Sequence, residues 1–335
     1  MSITVVGSIA YDAVKTPFGE RERMLGGAAV HFALAASFFD RVRVVGPVGD
    51  DFGETELQVM RDREVDVSDV ERVAGGKTFF WRGEYGWDLN SRETLDTQLG
   101  VFEGFAPKLS EASRSSDVLF LANIQPDLQR EVRAQLPAAR FVALDSMNLW
   151  IDIARDSLVE AISSVDCVIL NDAELRQLTG KPNLFSAARE VLSWSSTTGS
   201  SPDQAHSPDG ARGPSVIVAK QGEYGAALVT RERFFSLPAY PLESVVDPTG
   251  AGDTFAGGFV GYIAAHLDDD RAAAEQDRLP DELLRAAMAH GTALASFNVE
   301  EFGTERVVRL GEAEIAGRVA ELREITSFSG VPAIG

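Results

Sequence analysis

Short apolar runs alternate with stretches of helical periodicity over most of this chain, the pattern of a parallel sheet covered by helices on both faces. Unbroken β-branched and apolar runs predict strands near residues 3–9, 42–48, 117–122, 140–145, 166–170 and 215–220. Apolar positions at helical spacing predict helices near 27–39, 52–64, 126–136, 151–162, 183–194, 252–265, 281–297 and 311–325. The fold class that follows is α/β, with a doubly wound, mostly parallel sheet flanked by helices.

Two segments break the alternation. Residues 74–104 are β-rich and aromatic around Thr78–Tyr85, polar from Asp88 to Gln98, and carry no clear helix. Taken by themselves they fit an ordinary surface hairpin. Residues 195–214 are rich in Ser, Thr, Gly, Pro and Asp and lack periodicity, so a flexible surface loop is expected there. The chain contains no internal repeat.

Composition narrows the classes. The chain has 335 residues and a hydrophobic fraction of 44%, enough for a substantial core and too much for general disorder. A formal charge of −20 argues against nucleic-acid or anionic-membrane partners. Plentiful acids and scarce lysine would also fit a salt-adapted source. No apolar stretch is long enough to span a bilayer, and the start of the chain reads as a strand, not a signal peptide. The single Cys167 lies in an apolar run and has no partner for an internal disulfide, as expected of a cytoplasmic protein.

The densest chemistry lies at residues 247–258, Asp-Pro-Thr-Gly-Ala-Gly-Asp-Thr-Phe-Ala-Gly-Gly. The run Glu243–Val246 leads in like a strand, Gly250-Ala251-Gly252 frees the backbone to turn, and an apolar helical stretch follows from Phe255. A turn into a helix leaves unpaired N–H groups that, with the helix dipole, form an anion site. Asp253 sits inside it, as a helix cap or as a base taking a proton from a hydroxyl. Two phosphate motifs are excluded. Phe255 occupies the third-glycine position of a dinucleotide fingerprint. Gly75-Gly76-Lys77-Thr78 looks like the end of a P-loop, but Glu71 stands where the first glycine belongs, so a turn is expected.

Asp247-Pro-Thr-Gly-Ala-Gly-Asp253 resembles the C-terminal signature of the ribokinase-like (PfkB) family of sugar and nucleoside kinases. Other motifs follow in the family's order: Gly7-Ser-Ile-Ala-Tyr-Asp12, Gly26-Gly-Ala-Ala-Val-His31, Val45–Gly53, Asn171-Asp-Ala-Glu174 and Val218-Ala-Lys-Gln-Gly222. The resemblance covers nearly the whole chain and implies one domain over 1–335. A β lid over the acceptor site would form from about 11–24 and 74–104.

The resemblance implies an ATP-dependent kinase acting on a primary hydroxyl of a sugar or nucleoside. Asp253 would be the base, with Gly250, Ala251 and Gly252 N–H groups holding the phosphoryl charge. Asp12, Gly26, Gly27 and His31 would meet the acceptor. Asp12 alone could be a turn carboxylate, and His31 could be a packed helix residue. Asn171, Glu174, Lys220, Gly222 and His290 would serve ATP, with Glu174 holding Mg²⁺ through water. Asn171 and Glu174 also match a helix capping box. Asp247 and Thr249 match a monovalent-cation site, for K⁺.

By the same resemblance, His31 stands where sugar-specific relatives often carry Asn, and Ala10 replaces an Asn common in ribokinases, which counts against free ribose, while Gly7-Ser-Ile-Ala-Tyr-Asp12 and the aromatic lid segment resemble nucleoside kinases more than fructokinases. Trp81, Tyr85 and Trp87 could stack on a base or pack together. A homodimer through the lid is expected. The alternatives are a free-sugar kinase and a catalytically silent sugar-binding regulatory protein. Against silence stands the intact Gly250–Asp253 segment.

Overall fold

The computed structural model describes residues 1–194, 213–267 and 279–327. Its strands are β1 Ser2–Val6, β2 Ala10–Thr16, β3 Gly19–Gly26, β4 Arg41–Val48, β5 Val70–Arg72, β6 Phe79–Tyr85, β7 Arg92–Gln98, β8 Val118–Leu121, β9 Phe141–Asp145, β10 Cys167–Asn171, β11 Val216–Lys220, β12 Ala226–Val229 and β13 Phe234–Leu237. Nine of them form one sheet in the order β13-β12-β11-β10-β9-β8-β1-β4-β5. The strands from β5 to β11 are parallel, and β12 and β13 add an antiparallel edge.

The six strands expected from apolar runs are the six contiguous parallel strands from β11 to β4. Their residues face alternate sides. Val5, Phe120, Ile169 and Val218 pack against Phe32, Phe259 and Met288 on one face. Val6, Leu121, Leu170 and Ile217 meet Val132, Leu158 and Leu175 on the other. Both faces are covered, which is why these strands read as unbroken apolar runs. Cys167 is fully buried in β10, as expected.

Helices Ala28–Ala36, Ala251–His266 and Asp281–Asn298 pack closely on the first face. Small residues permit this: a Cβ on Gly257 would stand 2.3 Å from Phe32 O, and one on Gly258 2.9 Å from Gly291 Cα. The second face carries Pro126–Gln135, Arg155–Ile162, Asp172–Thr179 and Leu184–Val191.

Several expectations need correction. The helix expected over 151–162 is two, Asn148–Ile153 and Arg155–Ile162, broken at Ala154 with φ −142°. Helix Asp172–Thr179, strand β5 and the β12–β13 hairpin were not foreseen. Glu243–Val246 is not a strand: Val246 N–H donates to Val299 O, at the end of a helix, and no strand lies beside it. Most of 195–214 lies outside the described residues. Gly75, in the P-loop lookalike, has φ +77° and lies in a turn, as expected.

A separate sheet in the order β3-β2-β6-β7 forms the lid, with β2 parallel to β6 and antiparallel pairs at both edges. No helix among the described residues is long and apolar enough to cross a membrane.

Candidate active site

Strand order reverses at β1, because the chain proceeds first to β4 on one side and later to β8 on the other. In such sheets ligands gather beyond the carboxyl ends of the strands. Here β9, β10 and β11 end on Asp145, Asn171 and Lys220, with Asn171 in register with Lys220. Lys220 Nζ lies 3.0 Å from Asp145 Oδ2, both side chains largely buried. Burial opposes the lysine's charge, but Asp145, Glu174 and Asp253 outweigh it and raise its pKa. Sequence reasoning missed Asp145. Its signal was available: it is the last residue of an expected parallel strand.

Asn171 caps helix Asp172–Thr179. Its Oδ1 accepts from Glu174 N at 2.7 Å, and Glu174 Oε2 accepts from Asn171 N at 2.8 Å. The capping box is therefore present. Burial, with Asp145 adding to it against the pull of Lys220, brings the Glu174 pKa to about 7. Capping and proximity to Lys220 belong to the same carboxylate.

Gly250 precedes helix Ala251–His266 with φ +74°, and no side chain caps that helix. Asp253 is not a cap: its carboxylate makes no hydrogen bond among the described residues. Burial first, then the charge of Asp145, brings its pKa to about 7. Ala251 N–H donates to Pro248 O at 3.2 Å, so of the three N–H groups expected to face an anion those of Gly250 and Gly252 are left without an acceptor among the described residues. Gly252 faces the lysine, since a Cβ there would stand 3.0 Å from Lys220 Nζ.

Asp12 lies on lid strand β2 and is buried, not a solvated turn residue. A Cβ on Gly26 would meet its Oδ2 at 1.9 Å, so glycine is required for the approach. Burial and the nearby Asp247 raise the Asp12 pKa to about 7. Gly27 has φ +99° at the start of helix Ala28–Ala36, where a Cβ would meet Ser8 O at 2.5 Å. His31 is 2% exposed, and its Nδ1 lies 3.2 Å from Asn298 Oδ1. That oxygen also accepts from Thr254 Oγ1 at 3.0 Å, and Asn298 Nδ2 donates to Thr249 O at 2.8 Å. The network assigns the ring proton to Nδ1 and leaves Nε2 as an acceptor with no partner. Burial lowers the His31 pKa to about 4, so the ring is neutral.

Asp247 is fully buried and holds the turn: Oδ1 accepts from Thr249 N and Oδ2 from Gly303 N, each at 2.9 Å. Thr249 Oγ1 donates to the Tyr85 hydroxyl at 3.2 Å, which fastens lid strand β6 to this turn. At the lid tip Asn90 Nδ2 donates to Glu223 Oε1 at 2.9 Å, beside Gly222 with φ +57°. The lid thus touches both the turn from Asp247 to Gly250 and the loop after β11. Trp87 is exposed at the tip, and Trp81 packs near Arg92.

His290 is not brought to this cluster. It stacks on Tyr262 with centroids 4.1 Å apart, and its Nδ1 bonds to Ala286 O within its own helix.

Oxygen donors at Asp145, Asn171, Glu174 and Asp253 outnumber the cationic Lys220 and suit a hard divalent ion. No group of three or more acidic, His or Cys ligands among the described residues could hold a metal unaided.

An open helix N-terminus, a buried lysine and an unbonded carboxylate at the strand ends are the furniture of an α/β phosphotransferase. The family model for pfkB carbohydrate kinases matches residues 2–309, and the chain belongs to that family. It is a carbohydrate or nucleoside kinase, and kinases of this family use ATP with a divalent metal, generally Mg²⁺. The cytidine kinase of Thermococcus kodakarensis is 30% identical over 269 residues, 78% of this chain and 88% of that one. The fold matches the nucleoside kinase of Methanocaldococcus jannaschii, with TM-score 0.70, 17% identity and coverage of 96% and 98% of the two chains. It also matches the Burkholderia thailandensis nucleoside kinase in complex with inosine, with TM-score 0.67, 20% identity and coverage of 95% and 97%.

Proposed function

We propose that this chain transfers the γ-phosphoryl group of ATP to a primary hydroxyl of a ribose-containing nucleoside, with Asp253 as the base. The observation that carries this reading is the Asp253 carboxylate, unbonded at an open helix N-terminus and held near pKa 7 beside Lys220. A base works best with a pKa close to the operating pH, and burial supplies that shift. The acceptor oxygen forms a bond to Pγ as the bond from Pγ to the bridging oxygen breaks. The hydroxyl proton passes to Asp253, and ADP leaves.

Gly250 and Gly252 N–H groups, the helix dipole and Lys220 would stabilise charge on the transferring group. Ala251 N–H could join them only if its bond to Pro248 O opened. Glu174, with Asn171 beside it, would hold Mg²⁺ through water, and the ion would neutralise phosphate charge. Asp12 would accept hydrogen bonds from acceptor hydroxyls, next to the bare backbone of Gly26 and Gly27. A K⁺ site at Asp247 and Thr249 is a separate proposal, tested by turnover with K⁺ replaced by tetramethylammonium. Lid strand β7 is exposed along its length, which supports the pairing of two copies through the lid.

The nucleoside preference is supported by the cytidine kinase relative and by the likeness of Gly7–Asp12 and the aromatic lid segment to nucleoside kinases, and the departures from Asn at Ala10 and His31 count against free ribose. An ADP-release assay across nucleosides and free sugars tests it. Nucleosides should show the higher kcat/KM, and turnover confined to free sugars would overturn the preference.

A further inference from the structure

The turn from Asp247 to Gly250 is built on residues 298–303, at the end of helix Asp281–Asn298 and just beyond it. Val299 O accepts from the N–H groups of Val246 and Asp247. Gly303 N–H donates to Asp247 Oδ2, and Asn298 Nδ2 donates to Thr249 O. Asn298 Oδ1 also accepts from Thr254 Oγ1, next to Asp253 in the helix that the turn opens. A shift of this support carries the turn with it.

The support is held in its place by helix Glu312–Thr326, which follows the residues matched by the family model, 2–309. Arg318 Nη1 on that helix donates to Glu300 Oε1 at 2.7 Å and to Ser296 Oγ at 3.1 Å. Its guanidinium lies over the Phe297 ring, 3.5 Å from the centroid. Arg306 takes the other oxygen of the same carboxylate, with Nε 3.0 Å from Glu300 Oε2, and reaches Glu314 of the helix at 2.6 Å. Side-chain exposure is only 14% at Arg318 and 24% at Glu300, so these pairs are not the solvated kind that contributes little. Glu300 follows Val299 directly and precedes Gly303 by three residues, inside the segment whose main chain meets the turn. A carboxylate gripped on both oxygens by two guanidiniums is fixed in orientation, and the main chain that carries it is fixed as well.

We propose that Arg318 is a positioning residue for phosphoryl transfer, acting from the helix 312–326 through Glu300 and Phe297 on the turn at 247–250. The proposal rests on the kinase reading of Gly250 and Asp253. The Arg318 guanidinium meets Ser296, Phe297, Tyr240 and Glu300, none of them assigned to ATP or to the acceptor, so its effect on the reaction travels through the segment. Donors aimed at a transferring group lose much of their effect when displaced by about an ångström, which costs about 10²-fold in rate.

Arg318→Met keeps the aliphatic stem on Phe297 and removes the fork, and Glu300→Gln keeps the shape but removes the charge that both arginines grip. On the intact protein each should lower kcat by about tenfold to 10²-fold, with KM for ATP and for the acceptor within about threefold of the parent. Arg318→Lys should recover part of the loss. The double variant should be no slower than the slower single variant, because both act through one link. Rates are taken well below the lowest melting temperature in the set, so that loss of folded protein does not enter kcat, and Glu300→Gln carries the test if Arg318→Met does not fold. Hydrogen exchange gives a readout independent of turnover. The amides of Val246, Asp247 and Thr249 should exchange faster in Arg318→Met than in the parent, with those of β1 unchanged. Parental kcat in both single variants would overturn the proposal and leave the helix a role in stability alone. Losses that multiply in the double variant, or turn amides that exchange as in the parent, would overturn it too. Failure of the parent protein to phosphorylate any nucleoside or sugar would overturn the kinase reading and this proposal together, whereas an active parent with unaffected variants overturns this proposal alone.

Discussion

The imidazole of His31 lies flat against Gly250, so that a Cβ on the glycine would fall 2.3 Å from both Cε1 and Nδ1 of the ring. Gly250 also has φ +74°, a conformation L side chains rarely adopt. The ring cannot retreat, because His31 is buried and held by Asn298, which also fixes the Thr249 carbonyl and the Thr254 hydroxyl. Gly250→Ala must therefore displace the anion turn. Turnover should fall by about 10²-fold or more, the effect of losing one oxyanion donor, with stability reduced by about 1–3 kcal/mol from backbone strain. Steady-state kinetics and thermal melts check this, and near-parental turnover would show that the turn is not the phosphoryl site.

The Asp253 carboxyl, raised to about 7 by burial and by Asp145, places the acid limb of activity near neutrality. For the free enzyme kcat/KM should fall as pH drops below about 7, because the base becomes protonated. Asp253→Asn should lower kcat by about 10²–10⁴-fold and abolish that limb. Stability should move the opposite way. A carboxyl whose pKa is raised on folding binds its proton more tightly in the folded state, so its stabilising contribution is complete below the unfolded pKa and is lost as pH rises through about 7. Asp253→Asn should accordingly gain stability relative to the parent between about pH 4 and 7, measured by denaturant melts across that range. A constant difference would mean the carboxyl is not shifted.

Asp12→Ala should raise the acceptor KM by about tenfold or more while leaving ATP KM nearly unchanged, since each charge-assisted hydrogen bond contributes about 1.5–3 kcal/mol. The approach of Asp12 Oδ2 to Gly26 keeps the carboxylate on the Gly26–Gly27 side, and Asp247 and Asp253 both bear on its raised pKa. Equal weakening of both substrates in initial-rate measurements would assign Asp12 to the packing of β2 instead.

Legibility in the sequence follows the range over which each feature is determined. The six central parallel strands are buried on both faces, so their own composition reveals them. Lys220 and Asn171 were found because strand ends and short motifs are local. Asp145 also ends an expected strand, but its partner Lys220 lies 75 residues away, so its position is local while the pairing is not. Tyr85 acquires meaning only when the lid hairpin docks on Thr249. Glu243–Val246 misled for the converse reason, because β-branched residues make a strand only where a neighbouring strand accepts their hydrogen bonds. The Asn171–Glu174 pattern supported two readings, and the capping box is present beside the lysine that makes the second reading chemical.

The lid makes the strongest demand on the site. Residues 79–98 span β6 and β7, and their flanks already meet, with Val101 N–H donating to Lys77 O at 2.8 Å. A short Gly-Ser bridge can therefore replace the hairpin without straining the main sheet. The deletion removes Tyr85 from Thr249 and Asn90 from Glu223, the two contacts by which the hairpin reaches the anion turn and the nucleotide loop. It also strips β2 of its parallel partner, exposing the strand that carries Asp12. A phosphoryl-transfer site open to water loses both acceptor positioning and the exclusion of hydrolysis. The shortened protein should remain folded by circular dichroism and still bind ATP, since Lys220, Gly250 and Gly252 lie outside the lid. Acceptor phosphorylation should collapse, ATP hydrolysis without acceptor should rise relative to it, and any dimer should weaken in sedimentation. Normal phosphorylation by the shortened protein would mean that the hairpin does not close over the acceptor, and would remove Tyr85 from the site.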